Sequence, residues 1–341
     1  GATQHLAPSV GRVVGGPNPG VLHMARFRPR IAAALAVASV LILSACSSGD
    51  TTPASSDAAE TATVKIGTLR GQPHFYQPFL YDDHAVDGVK FEVVTLDTTP
   101  ALSDALVSGS IDFAISGVTP TISSIAQGRD LKIIASAADG GSGFIGNGES
   151  SLDELVGKKI GIVQGSAQEV ALRLLIDEAG LTPEDFELSV IPVPEMASAF
   201  IAGDIDAFMG VEIGVSIAKN AGGTEVVDPY STPIGKVNIG LITTGKLIEE
   251  NPELVQKVVD THAATTAYMA DNIEEWLPGM VEEFGGDEDV FTSALANFWL
   301  RSDLSDEYVG QLSALAEAMA SIGLITTTPT GDDIVVTSFP S

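Results

Sequence analysis

The chain has 341 residues, with 45 acidic against 17 basic side chains, a formal net charge of −28 and a single cysteine. A balance this acidic excludes nucleic acid as a partner, because the phosphate backbone must be met by Lys and Arg. One cysteine excludes an internal disulfide framework, and acids scattered through apolar periodic segments read as a solvated surface.

Residues 1–23 contain no methionine, are rich in Gly and Pro and show neither helix nor strand period, so they read as a leader outside the fold. From Met24 the order is a basic region with Arg26, Arg28 and Arg30, an apolar run from Ile31 to Leu43 broken by Ser39, and then Leu43-Ser44-Ala45-Cys46. That is the order of a secretory signal, and the run falls short of the ~20 residues a bilayer span needs. Leu-Ser-Ala-Cys resembles the bacterial lipobox, which implies cleavage before Cys46 and acylation of its thiol; several acyl chains anchor stably where one does not. Four bases (Arg12, Arg26, Arg28 and Arg30) and no acids precede Cys46, leaving 13 bases against 45 acids beyond it. Ser47 to Thr61 is polar and Ser/Thr/Ala-rich, a flexible stalk. The expectation is a leader and signal over 1–45, a stalk over 46–61, and a protein of the cell envelope held by lipid at the outer face of a membrane.

About 280 residues remain from Thr61, enough for two lobes. Val64–Thr68, Phe91–Val94, Ile111–Ile115 and Leu131–Ala135 read as strands separated by helix-length stretches. Thr99-Pro100 and Thr119-Pro120 each place a capping hydroxyl before a proline at a first helical position. The alternation predicts βαβ units on a mostly parallel sheet. The pattern then restarts: Ser151-Leu152-Asp153-Glu154 has capping-box spacing, Lys159–Val163 is a strand, and Ser166-Ala167-Gln168-Glu169 is a second box opening a helix to about Gly180. A turn at Thr182-Pro183-Glu184-Asp185 leads to a strand from Leu188 to Val193.

A two-fold echo ties the halves together. Ala105-Leu106-Val107-Ser108-Gly109-Ser110-Ile111-Asp112 is matched by Ala199-Phe200-Ile201-Ala202-Gly203-Asp204-Ile205-Asp206: a helix end, a Gly stop and a strand opening Ile-Asp. Two such units facing each other define a cleft, since open α/β sheets bind ligands at the carboxyl ends of their strands. From Asn251-Pro252 the chain is predicted helical over 252–272, 273–284, 290–300 and 305–322, with packing as its expected role.

The ordered set Leu102-Ser103-Asp104-Ala105-Leu106, Gly109-Ser110-Ile111-Asp112, Gly117, Pro120, 126–135, Leu155–Ile162, Ala202–Ala207 and Asn251-Pro252-Glu253-Leu254-Val255 resembles the solute-binding proteins of ABC importers, in the branch for nitrate, taurine, aliphatic sulfonates and thiamine-precursor pyrimidines. The resemblance covers nearly all of 63–339. It implies an α/β type II periplasmic-binding-protein fold: one lobe of residues 62–150 plus 236–341, another of 151–235, a hinge of two crossing strands and a ligand cleft between the lobes. It also implies partners, namely a small-molecule ligand and a membrane permease with its ATPase, and a monomer that docks when closed.

Cleft candidates are the residues after the strands. Arg70, Gln72, His74, Phe75 and Tyr76 offer a cation, an amide and aromatic faces. Gly117, Val118 and Thr119 open a helix whose free N–H groups favour an anion. Gln164, Ser166, Ala167 and Gln168 repeat that arrangement, and Glu195 follows the strand placed at 188–193. Gly210-Val211-Glu212 stands where relatives often carry Trp-Glu-Pro, with Val211 and Ile213 at the Trp and Pro positions; Glu212 would accept from an amine. Surface loops and capping explain many of these residues as well. A fungal relative of the fold synthesises a pyrimidine with a Cys- and His-rich cluster. Beyond the anchor this chain has only His74, His84 and His262 and no Cys, so no catalytic residue, metal or cofactor is expected. Gly-Gly-Ser-Gly at 140–143 lacks the Lys-Ser/Thr of a phosphate loop and reads as a hinge. The ligand expected is a small organic anion or zwitterion, with an aromatic pyrimidine as the alternative.

Overall fold

The structure, a computed structural model, describes residues 60–341; Cys46, the signal and most of the stalk lie outside the described residues. Eleven strands are present among them: β1 (Ala62–Thr68), β2 (Val89–Thr95), β3 (Phe113–Gly117), β4 (Lys132–Gly140), β5 (Ser142–Gly146), β6 (Lys159–Ile162), β7 (Glu187–Val190), β8 (Ala207–Val211), β9 (Thr224–Glu225), β10 (Val237–Thr243) and β11 (Phe298–Leu300). They form a six-stranded sheet, β11-β4-β10-β3-β1-β2, and a five-stranded sheet, β7-β6-β8-β5-β9. β1 pairs parallel with β2 and β3, and β6 pairs parallel with β7 and β8; in each sheet one strand arriving from elsewhere, β10 or β5, is antiparallel to its neighbours. The two sheets thus share one plan over five strands, with β11 an addition to the edge of the first. No helix among the described residues is long and apolar enough to cross a membrane.

The sequence echo is the mechanical basis of that plan. Gly109 and Gly203 end their helices at φ 76° and 81°, each N–H returning to the carbonyls three and four residues back. Asp112 then accepts the Lys65 N–H of β1 at 2.8 Å, and Asp206 accepts the Lys159 N–H of β6 at 2.8 Å. Ile111 and Ile205 occupy the space left by Gly67 and Gly161, where a Cβ would come within 2.5 and 2.8 Å of them. Each Ile-Asp pair therefore sets the register of an incoming strand, β3 or β8, against β1 or β6.

The chain passes between sheets at Gly140-Gly141 and returns ahead of β10. Both glycines have positive φ (85° and 74°), and a Cβ on them would lie 2.4 Å from the Asn297 carbonyl and from Phe298 respectively. Only glycine combines that backbone with so close an approach. β5 already pairs in the second sheet, so the crossing precedes the boundary that the sequence places after residue 150.

Several expectations are corrected. The helix Thr99–Ser108 is capped by Thr98, whose hydroxyl accepts from Ala101 N–H at 3.2 Å, and not by Thr99. The helix Val118–Ala126 begins at the N-cap Gly117, so Thr119 is already inside it and caps nothing. β7 stops at Val190, because Pro192 and Pro194 cannot extend a ladder but suit the start of the helix Val193–Ala202. The run Phe298–Leu300, predicted helical, is β11 on the edge of β4; a short apolar run has no period of its own, and the open edge decides it.

Candidate functional site

The first wall lies at the carboxyl ends of β1 and β3. Thr68 closes β1 by donating its hydroxyl to the Phe75 carbonyl (2.9 Å), and Phe75 N–H returns to Gln72 O (3.1 Å), so the loop folds back over the sheet. This buries His74 completely, edge-on to Phe75 (centroids 4.2 Å apart) and Phe298 (5.2 Å). Neither ring nitrogen has a partner, and burial pushes the imidazole down to about 3, so it is neutral, with one donor and one acceptor. After β3, the Gly117 N-cap supplies no side-chain bond to the helix, while Thr121 turns its hydroxyl back to Gly117 O (2.7 Å). Ser116 Oγ and Thr119 Oγ1 are buried without partners. Such orphaned atoms are rare in folded proteins, and here they lie at or beyond the carboxyl ends of β1 and β3, the latter at a helix N-terminus, which is where open α/β sheets bind ligands.

The second wall differs. Ser166 caps the helix Ala167–Glu178 by accepting Glu169 N–H (3.2 Å), and the Glu169 carboxylate accepts Gly165 N–H (2.6 Å) and pairs with Arg173 (3.0 Å). The protein's own anion already sits at this helix end. Gln168 is buried and donates to Ser142 Oγ at 2.8 Å, with Ala167 buried beside it.

Glu212 lies on the seam and is 3 % exposed. Gln72 Nε2 donates to its carbonyl (3.0 Å), Ser216 N–H to Oε2 (3.0 Å) and Asn297 Nδ2 to Oε1 (3.0 Å). The carboxylate expected to meet a ligand amine is therefore engaged by the protein. A cavity of about 300 Å³ opens beside it, with Ser216 and Lys219 on one side and Ser293 and Asn297 on the other.

Of the sequence candidates, the structure gathers Gln72, His74, Gly117, Thr119, Ser166, Ala167, Gln168 and Glu212 near the seam or at strand ends facing it. Arg70, Gln164 and Glu195 are exposed. Phe75 and Val118 are core residues, and Gly210 is closed in by Phe208 and Met196. Tyr76 stacks instead on Phe79 and Trp276. Sequence reasoning missed Ser116, Ser142, Tyr230, Asn297 and Phe298. Only Ser142 carried a signal, through its place in the glycine-rich crossing. Among the described residues no group of three or more His, Cys, Asp or Glu is placed to hold a metal.

Two sheets of shared plan, exchanged strands, a double-glycine crossing and a buried polar seam define a type II periplasmic-binding-protein fold. The periplasmic aliphatic sulphonate binding protein SsuA of Escherichia coli superposes with a TM-score of 0.70 over 82% of this chain and 92% of that one, at 19% identity. The alkanesulfonate-binding protein SsuA of Xanthomonas axonopodis pv. citri, bound to MOPS, does so with 0.67 over 80% and 96%, at 20% identity. The chain belongs to the NMT1/THI5 like family, whose pattern matches residues 85–275. It is 26% identical over 249 residues, 70% of its own length and 74% of the other's, to a Bacillus subtilis (strain 168) protein named as an aliphatic sulfonates-binding protein.

Proposed function

We propose that this protein is the extracytoplasmic solute receptor of an ABC importer, closing two lobes over a small organic anion, with an alkanesulfonate as the leading class. The observation that carries the reading is the set of buried, unpartnered polar atoms on His74, Ser116 and Thr119 beside the uncapped start of the helix Val118–Ala126. A sulfonate group supplies acceptors for the hydroxyls, the imidazole N–H and the helix N–H groups together. The names of the Bacillus and Escherichia coli relatives support the same class. The lobes we assign are 62–140 with 237–341, and 142–236, hinged at Gly140-Gly141. A permease and its ATPase take the ligand from the closed form, and a lipid on Cys46 holds the receptor beside them, where tethering raises effective concentration. The chemistry is binding without turnover.

The test is calorimetry and thermal shift of the chain with pentanesulfonate, MOPS, taurine, nitrate and an aminopyrimidine. A sulfonate at 100 times its dissociation constant should add about 2.7 kcal/mol of stability, and His74→Leu or Thr119→Val should abolish it. Binding of the pyrimidine alone would move the reading to the aromatic class, and conversion of any ligand would reject the receptor. Mass spectrometry of membrane-extracted protein should find diacylglyceryl-cysteine at residue 46; an unmodified thiol there would sink the anchor.

A further inference from the structure

We infer that Asn297 is a positioning residue of the interlobe site, fixing the Glu212 carboxylate relative to the Gly140-Gly141 crossing; the inference rests on the receptor reading above. Asn297 stands just before β11, in the six-stranded lobe, and its side chain reaches out of that lobe. Its carbonyl accepts Gly141 N–H (2.7 Å), its Nδ2 donates to Ser142 O (2.9 Å) and to Glu212 Oε1 (3.0 Å), and its Oδ1 accepts the Tyr230 hydroxyl (2.6 Å). Three separate stretches of chain meet on one residue: the crossing as it enters β5, the residue just after β8, and the return segment. The amide has one workable orientation, because a flip would set Oδ1 against a carbonyl and a carboxylate. Burial raises the Tyr230 phenol above its usual range, so it remains a protonated donor.

From Glu212 the chain of contacts continues to the ligand wall. The Glu212 carbonyl accepts from Gln72, two residues before His74, and Phe298, next to Asn297, packs on both His74 and the Gly141 position. Asn297 touches none of the unpartnered atoms of the site. It acts through the groups it holds.

Asn297→Asp keeps the shape but loses the donor and faces Glu212 with a second carboxylate. Two carboxylates in contact bind one proton between them as the pH falls, so the defect in this variant is reversible with pH. Asn297→Ala leaves a gap that nothing titrates. The experiment uses the full chain with Cys46→Ser and spin labels at S198C and E274C, exposed positions on opposite lobes. It reads the interlobe distance and the affinity for MOPS at pH 8 and pH 5, each relative to the parent protein at the same pH. Asn297→Asp is expected to lengthen and broaden the distance at pH 8 and to weaken MOPS on the order of 100-fold, recovering at least roughly tenfold at pH 5. Asn297→Ala should lose about tenfold at both, and Tyr230→Phe, which keeps the ring but removes the hydroxyl that donates to Asn297 Oδ1 and accepts the Ser142 N–H, about fivefold at both.

Equal losses for the Asp and Ala variants at both pH values, or distances unchanged in both, overturn the inference, as does a Tyr230→Phe variant indistinguishable from the parent if the other two do not fold. A parent that binds no sulfonate while Asn297→Asp still shows a pH-reversible distance would sink the receptor reading and support the role of Asn297.

Discussion

Lowering the pH from 8 to 5 should destabilise the ligand-free protein through two buried histidines, and His74→Leu should remove half of the loss. His74 and His262 are both fully buried, which pulls them from 6.5 to about 3 and about 4 respectively. For His262 the bond to Ser136 O opposes burial without outweighing it. In the unfolded chain both titrate near 6.5, so below that pH the unfolded state binds protons that the folded state refuses, and stability falls with falling pH. The contribution is complete above about pH 6.5 and is lost progressively down to the folded values. At pH 5 each histidine costs about 2 kcal/mol relative to pH 8. At roughly 2 °C per kcal/mol for a domain of this size, the parent should lose about 8 °C of Tm and His74→Leu about 4 °C. Calorimetry at constant ionic strength checks this, and pH 5 stays above the range where ordinary surface acids protonate. Saturating pentanesulfonate should shrink the loss in the parent only, because an anion against the ring favours its charged form. A loss as large in His74→Leu as in the parent, or sulfonate binding unaffected by the substitution, would refute the placement of His74 in the site.

Three further outcomes follow from the same geometry. Gly141→Ala forces a side chain onto a φ of 74° and into Phe298; urea unfolding should show a cost of about 3 kcal/mol or more, with weaker ligand binding. Asp112→Asn and Asp206→Asn should each cost about 1 kcal/mol and match one another within error, since the two carboxylates accept equivalent N–H groups; a large cost at one site alone would break the argument that they share a job. Glu169→Gln should lower Tm by a few degrees by loosening Arg173, yet tighten sulfonate binding several-fold by withdrawing a negative charge from the second helix end; weaker binding would show that Glu169 supports the ligand instead.

The plan of the fold was legible because it is written in local chemistry. The glycine stops at Gly109 and Gly203, the Ile-Asp openings and the double glycine at the crossing each act within a few residues of themselves, and the structure uses them where they stand. The candidate site was legible only at strand ends. His74 and Thr119 could be named from position, whereas their burial without partners depends on what packs over them. Arg70, the one cation proposed for the cleft, is exposed, because nothing in a sequence says toward which side a loop turns. Asn297 and Phe298 were invisible for a different reason: they reach the seam only through the pairing of β11 with β4, some 160 residues earlier in the chain, and short apolar runs do not advertise such pairing.

The two lobes also present different helix ends, the one after β3 and the one after β6, and on the proposed receptor reading that difference would orient the ligand. After β3 the helix opens on Gly117 with no side chain across its N–H groups, and Ser116 and Thr119 add hydroxyls without partners. After β6 the helix Ala167–Glu178 opens on Ser166, and Glu169 already lies against the Gly165 N–H. A helix N-terminus attracts an anion, but one occupied by a carboxylate repels a second. On the proposed receptor reading, an anionic head group would sit on the six-stranded lobe, among Ser116, Thr119 and His74, and the five-stranded lobe would meet the remainder of the molecule with the neutral Gln168 and the seam residues. On that reading binding would begin on the lobe that carries the unsatisfied atoms, and closure would add contacts that are largely uncharged. Selectivity among sulfonates of different chain length should then depend on the second lobe, and selectivity for the sulfonate group itself on the first, so that Thr119→Val would weaken all chain lengths alike while Gln168→Ala would change their ranking in calorimetry.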